Sequence, residues 1–304
     1  MLPPFRNALV LTGPTGSGKS ALGLELAERL GAEIVAMDSM TLYRGMDIGT
    51  AKPTPEERRR VPHHLIDVLD PWESASVAWW LERAAECCRA IERRKKRSLI
   101  VGGTALYLKA LRFGLFDGPP GDEALRHRLA EEAQQQGVVA LHCRLAAVDP
   151  VTAQRLHPND VRRVIRALEV WELTGRPLSA WQQQWNQPDD LGPEGTANVL
   201  WLDLPRDELY ARIDARVEAM VAGGLVEEVR ALIQLPQPLS REAAQALGYK
   251  EMIEHLQGRA TLAETVRRIQ TRSRQFAKRQ LTWFRHLPGC RPVSRELTFA
   301  LWTN

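Results

Sequence analysis

A parallel α/β sheet core interrupted by a mostly helical insertion is the fold class this sequence predicts, and three observations predict it. Short apolar runs alternate with helical stretches through the first third of the chain. Between the first run and the first helix lies Gly13-Pro14-Thr15-Gly16-Ser17-Gly18-Lys19-Ser20, which fills every fixed position of the phosphate-loop pattern G-x-x-x-x-G-K-[ST]. The alternation then breaks at the turn-rich Asp117-Gly118-Pro119-Pro120-Gly121-Asp122, and the next strand-like run begins only at Asn198.

Each element follows in order. Ala8-Leu9-Val10-Leu11 suits a buried strand. Residues 21–30 are helix formers with Leu22, Leu26 and Leu30 on one side, and Gly31 ends them. Strand, glycine loop and helix together aim backbone N–H groups and a helix N-terminus at phosphate oxygens. In that pattern Lys19 reaches the terminal phosphates and the Ser20 hydroxyl is the Mg²⁺ ligand. Glu33 to Met37 is a second strand ending at Asp38-Ser39, and residues 74–97 form a helix with a basic tail. Ser98 to Val101 is a third strand ending at Gly102-Gly103-Thr104, and residues 105–112 restart a helix. Ligands of such sheets sit at the carboxyl ends of strands, so the loop, Asp38 and Gly102–Thr104 should face one crevice. Residues 117–197 read as the helical insertion, Asn198 to Leu204 as a further strand, and the remainder as helical. The expected organisation is a core from 1–116 and 198–304 around an insertion at 117–197.

The whole chain narrows the function classes. Its 304 residues are 44% hydrophobic and 26% charged, as in an ordinary globular protein. No apolar stretch is long enough to span a membrane, and the first strand starts too early to leave room for a signal peptide. Cys87, Cys88, Cys143 and Cys290 contain no C-x-x-C and read as reduced thiols of a cytoplasmic protein. The net charge of +4 is unevenly spread. Arg267, Arg268, Arg272, Arg274, Lys278, Arg279 and Arg285 occur with no acid among residues 267–285. Val266, Ile269, Phe276, Leu281 and Phe284 keep roughly helical spacing there, so one side can pack while cations crowd the rest. Such a run calls for a polyanion, the electrostatic footprint of nucleic acid. Arg162, Arg163 and Arg166 make a smaller cluster, and Arg93 to Arg97 reads as a solvated face.

A phosphate loop alone does not choose between NTPase, kinase and transferase. The third strand ends without the acid that motor NTPases place there. Asp38, about twenty residues beyond the loop, sits where a carboxylate can take a proton from an attacking nucleophile. His63-His64 is a poor zinc site, because adjacent side chains diverge and a third ligand is missing nearby.

Together these residues resemble the bacterial tRNA dimethylallyltransferases, also called tRNA isopentenyltransferases. The resemblance runs through Gly13–Ser20, Asp38-Ser39, Tyr43 to Pro53 and His63 to Asp67. It continues through Gly102–Thr104, His157 to Asp160, Arg166 to Val170, Gly248-Tyr249-Lys250 and Ala277 to Gln280. It implies a nucleotide-kinase-like fold that moves an isoprenoid chain instead of a phosphoryl group. The implied reaction carries a dimethylallyl group from its diphosphate to N6 of the adenosine 3′ of the anticodon, in tRNAs reading codons that begin with U. Lys19, the loop amides, Thr15, Arg216 and Mg²⁺ on Ser20 are then the diphosphate's partners. Asp38 is the general base, and Thr104 bonds near the reacting end. The implied tRNA contacts are Asp38, Ser39, Met40, Thr41, Thr104 and Arg126. They extend to Arg162, Arg163, Val164, Ile165 and Arg166. A third group is Ala246, Leu247, Gly248, Tyr249, Lys250 and Glu251, and the last is Arg279, Gln280, Leu281, Thr282, Trp283, Phe284, Arg285 and His286. The insertion is expected to grip the anticodon stem-loop, and nothing calls for more than a monomer. Gly16 stands where the family commonly has alanine, and Trp79-Trp80 is unusual for the family. Three other readings stay open at this level: an ATP-dependent small-molecule or nucleoside kinase, an isopentenyltransferase of free adenine nucleotides, and a non-enzymatic RNA-binding module.

Overall fold

The computed structural model describes residues 2–116, 118–182 and 198–303. The chain divides into two compact units, Met1–Arg112 with Asp189–Asn304, and Phe113–Pro188. The insertion was expected at 117–197, of which 117 and 183–197 lie outside the described residues.

The larger unit holds a six-stranded sheet. Its strands are β1 (Leu9–Thr12), β2 (Glu33–Ala36), β3 (His63–His64), β4 (Ser98–Val101), β5 (Val199–Leu202) and β6 (Arg291–Val293), in the order β3-β2-β4-β1-β5-β6. Every pairing is parallel. The register sets Leu9 beside Leu99, Leu11 beside both Val101 and Leu200, and Ile34 beside Leu99. All four residues of β1, β2, β4 and β5 are buried, as strands covered on both faces must be. Helix α1 (Lys19–Leu30) lays Leu22 and Leu26 on this sheet against Leu9, Leu11, Leu99 and Val101.

β3 and β6 lie at the two edges, and neither was expected. The assignment of everything after Leu204 as helix is corrected at Arg291–Val293. Pro292 is tolerated there because an edge strand need not donate on both sides. The paired histidines of β3 have local partners: His63 Nδ1 lies 2.7 Å from the Val61 carbonyl, and His64 Nε2 lies 2.7 Å from Glu33. Glu33 also accepts from Arg94, whose guanidinium, together with His64, holds the carboxyl down at about 2.

Helices α2 (Pro55–Arg60), α3 (Val77–Arg93) and α4 (Ala105–Phe113) complete the first part of this unit. Trp80 of α3 is fully buried, stacks on Tyr107 at 4.4 Å between ring centroids and donates to the Ala36 carbonyl at 3.0 Å. That bond anchors the end of β2 two residues before Asp38, which accounts for one half of the unusual Trp79-Trp80 pair.

The smaller unit is helical over its described residues, with α5 (Glu123–Gln136), α6 (Val138–Val148), α7 (Pro150–Arg155), α8 (Val161–Thr174) and α9 (Leu178–Trp181). Its own core gathers Leu125, Leu129, Leu141, Leu145, Val164 and Leu168. Asp122, read as part of a turn, caps α5 by accepting from the Leu125 N–H at 2.9 Å.

The rest of the larger unit comprises α10 (Arg206–Ala222), α11 (Leu225–Ile233), α12 (Arg241–Ala244), α13 (Tyr249–Leu256), the long α14 (Leu262–His286) and α15 (Arg295–Trp302). All four cysteines are free thiols. Among the described residues no helix is long and apolar enough to cross a membrane.

Candidate active site

The carboxyl ends of β1, β2 and β4 open into a cleft of about 600 Å³. Thr15, Gly16, Gly18, Lys19 and Ser20 line it, and so do Asp38, Thr41, Gly102, Arg216 and Gln280. Gly13, Pro14, Ser17 and Thr104 do not line it. Gly18 begins α1 at φ 83°, without a side-chain cap, so the first N–H groups of the helix stay available to an anion. Lys19 Nζ rests 3.2 Å from the Pro14 carbonyl. Ser17 is buried, and its Oγ has no hydrogen-bond partner among the described residues. Gly102 is needed for clearance, since a Cβ there would lie 2.0 Å from the Met37 carbonyl oxygen.

Lys19 and Arg216 form no ion pair with any described residue. Burial, and then the neighbouring Arg216 charge, lowers the Lys19 ammonium to about 8, with Asp38 opposing the shift. Arg216 is also lowered by burial and held up by Asp38. Two desolvated cations beside one carboxylate make a site that wants a further anion. Arg212, one turn before Arg216, pairs with Glu208 at 2.7 Å.

Asp38 is held by its own turn. One carboxylate oxygen, Oδ1, accepts from the Met40 N–H at 2.8 Å, and the Thr104 hydroxyl accepts from the Ser39 N–H at 3.2 Å. The carboxylate therefore faces the cleft with Oδ2 unbonded among the described residues. Thr104 supports that turn.

Gln280 was expected at the RNA, and its geometry assigns it to the loop. It is buried, its Oε1 accepts from the Thr15 N–H at 2.9 Å, and its Nε2 donates to the Gly103 carbonyl at 2.7 Å. One amide thus ties the phosphate loop to the end of β4. The sequence reading missed other walls of the cleft, namely Ile48, Thr50 to Pro53, His63, Ile66, Met220 and Phe276. The polar run from Asp38 to Pro53 carried a signal, being too specific for packing. Nothing in the local sequence marked Met220.

The basic stretch is corrected in one respect. Some of its cations do have acidic partners. Arg268 bonds Glu254 at 2.6 Å, Arg274 bonds both oxygens of Asp214 at 2.6 and 2.7 Å, and Arg272 bonds the buried Glu251. The acids come from α10 and α13, outside the stretch itself. Arg267 and Lys278 have no acidic partner among the described residues, Arg279 lies over the Phe276 ring, and Arg285 is 3.9 Å from Asp203. Within the last expected RNA segment, Arg279, Thr282, Trp283, Arg285 and His286 are exposed, whereas Leu281 and Phe284 are core. In the segment 246–251, Ala246, Gly248, Tyr249 and Glu251 are buried, while Leu247 and Lys250 are half-buried.

In the helical unit, Arg126 and Arg166 converge on Glu169, which is fully buried and also accepts from the Asp122 N–H at 2.7 Å. Val164 is core, Ile165 half-buried, and Arg163 pairs with Asp160 at 3.2 Å. Arg162 is the exposed cation of this cluster with no pairing among the described residues.

A parallel sheet with a phosphate loop, two unpaired cations and a facing carboxylate defines the class of α/β proteins with a phosphate-loop cleft. A family model described as IPP transferase matches residues 41–287, and another described as isopentenyl transferase matches residues 6–67. The chain is 52% identical to the tRNA dimethylallyltransferase of Geobacter metallireducens, covering 91% of this chain and 89% of that one. It is 46% identical to that of Geobacillus kaustophilus, over 91% and 87%. The crystal structure of a tRNA isopentenylpyrophosphate transferase from Bacillus halodurans is similar at TM-score 0.67 and 41% identity, covering 95% and 90%. That of a eukaryotic dimethylallyltransferase acting on tRNA is similar at TM-score 0.74 and 27% identity, covering 96% and 75%. The chain belongs to the IPP transferase family.

Proposed function

We propose that this protein transfers a dimethylallyl group from dimethylallyl diphosphate to N6 of the adenosine 3′ of the anticodon, in tRNAs reading codons that begin with U. The observation that carries the reading is the cleft's pairing of unneutralised Lys19 and Arg216 with Asp38. The names of the relatives support the same substrate. In the step, N6 bonds to C1 of the allyl group, the C1–O bond breaks and its electron pair leaves with the diphosphate. The proton on N6 passes to Asp38. Lys19, Arg216 and the N–H groups at the start of α1 stabilise the charge that grows on the leaving oxygens. Adenine's amino group is a weak nucleophile, so a fixed carboxylate has a clear task. The base must leave its stack to reach that carboxylate. Arg162, Arg279, Arg285 and His286 are the exposed groups suited to the RNA backbone.

Mg²⁺ suits the donor set. Ser20 is exposed at the start of α1, beside the phosphate loop. A hard cation that takes most of its ligands from diphosphate and water needs no more than Ser20. When bound, it neutralises charge on the diphosphate. The enzyme is taken to act as a monomer in the cytoplasm, where its tRNA is.

The test is transfer of label from radiolabelled dimethylallyl diphosphate into unmodified tRNA whose anticodon ends in A. Label on the adenosine next to the anticodon is expected. Phosphate transfer from ATP to a small acceptor, with no label in tRNA, would replace this reading by a kinase. Asp38→Asn should keep tRNA affinity and lose turnover by about 10²–10⁴-fold, the usual worth of a general base. Retained turnover removes Asp38 from that role.

A further inference from the structure

The stretch 46–53 forms one wall of the cleft through Ile48, Thr50, Ala51, Lys52 and Pro53. It is a compact turn, closed by Ala51 N–H to the Ile48 carbonyl at 3.0 Å and Lys52 N–H to the Asp47 carbonyl at 3.0 Å. This closure leaves three successive N–H groups pointing outward, and one carboxylate takes all of them. Glu228 of α11 accepts from Asp47 at 2.9 Å, Ile48 at 2.7 Å and Gly49 at 3.2 Å. Its fourth bond comes from the Tyr249 hydroxyl at 2.6 Å. Tyr249 is 1% exposed, and burial followed by the Glu228 charge keeps its phenol protonated well above the ordinary range. The ring lies so close to the turn that a Cβ on Gly49 would be 2.5 Å from it. The Ile48 side chain packs on the Gly223–Gly224 turn, which links α10, the helix of Arg216, to α11.

From this geometry we infer that Glu228 is a positioning residue for the donor cleft, fixing the 46–53 wall through its three amides and tying that wall to Tyr249 in the segment 246–251. The inference rests on the transferase reading only for which substrate the wall faces. A carboxylate is suited because three of its four partners are backbone N–H groups, which can only donate. Either orientation of the isosteric glutamine amide would set its N–H₂ against at least one of them, leaving a donor unmatched. The wall contacts bound donor before and during reaction alike, so its loosening should raise KM more than it lowers kcat.

Glu228→Gln is the test, read by hydrogen exchange and by kinetics on the full chain. Exchange should speed up in peptides covering 46–53 and remain unchanged in the sheet strands. The KM for dimethylallyl diphosphate should rise about tenfold with kcat changed less than about threefold, the pattern of lost uniform binding. Glu228→Asp should recover part of the loss, and Tyr249→Phe, which removes one bond of four, should show a smaller rise. Unchanged exchange at 47–49, or faster exchange there with unaltered KM, overturns the inference. Faster exchange throughout the larger unit also overturns it, since Glu228 would then only hold the fold. Binding of dimethylallyl diphosphate measured by calorimetry tests the wall without any transfer. A wild-type protein that binds the donor but never labels tRNA would sink the transferase reading and leave the clamp standing.

Discussion

Arginine-rich helix α14 and the phosphate-loop cleft make opposite use of positive charge. In α14, Arg268, Arg272 and Arg274 are each held by an acid from another helix, and they bind the protein to itself. In the cleft, Lys52 is paired with Asp47 and Asp67, whereas Lys19 and Arg216 have no ion-pair partner among the described residues. The dense run looks like the binding site from sequence, yet part of it is neutralised within the protein, leaving Arg267, Lys278 and Arg279, while neither cation of the sparse pair is neutralised. Free charge therefore follows from pairing, and local density is a poor guide to it.

The largest effect should come from Lys19→Ala. Removing a preorganised donor to a leaving group costs about 10²–10³-fold in kcat, so transfer should fall at least that far while the melting temperature holds or rises. Arg216→Ala should follow with about a 10²-fold loss in transfer, again without unfolding. Arg272→Ala is the contrasting case. It strands the buried Glu251 and should destabilise the protein by about 1–3 kcal/mol in denaturant melts, discounted because the arginine end is half exposed. Comparable stability losses at Lys19 and Arg272 would erase the distinction between the two regions.

Titration sharpens it further. Lys19 in the ligand-free protein releases its proton near pH 8, below its ordinary range, because its charge is buried. Inorganic diphosphate should therefore bind more weakly as pH rises from 7 to 9, measured by calorimetry, and its binding should take up protons there. The sign for stability is the reverse: the unfolded chain keeps the proton to higher pH, so this residue adds stability as pH climbs through 8. An affinity flat across that range would mean that the lysine keeps its full charge.

The smallest effect belongs to the exposed end of α14. Arg285→Ala should leave donor KM alone and reduce the salt slope of tRNA binding by about one, the signature of one lost phosphate contact. An unchanged slope would leave Arg285 as a solvated side chain.

Packing offers a control away from charge. Trp80→Ala should cost about 3–5 kcal/mol, as truncation of a buried aromatic does, and should also loosen the end of β2 beside Asp38.

Much of the core was legible because its signals are local. β1, β2, β4 and β5 announce themselves as short, mostly apolar runs, and the phosphate loop is eight consecutive residues whose spacing is its mechanism. β3 and β6 were not legible. His63-His64 and Arg291-Pro292-Val293 have no strand-like composition, and they are strands because an edge of the sheet already stands beside them. Asp38, Lys19, Gly102 and Arg216 do meet in one cleft, the first three by strand-end logic and Arg216 through family resemblance.

By itself, then, the sequence determined a phosphate-loop turn at the start of α1 and placed Asp38 at the carboxyl end of another strand of the same sheet. Both follow from short-range geometry. Only the tertiary structure decided which cations remain free, that Gln280 braces the loop, and that Glu228 accepts from the 47–49 amides. Those outcomes depend on partners far apart in the chain, such as Arg274 with Asp214, Gln280 with Thr15, and Glu228 with Asp47 to Gly49. A hydrogen bond reports distance in space, and periodicity along the chain does not encode it.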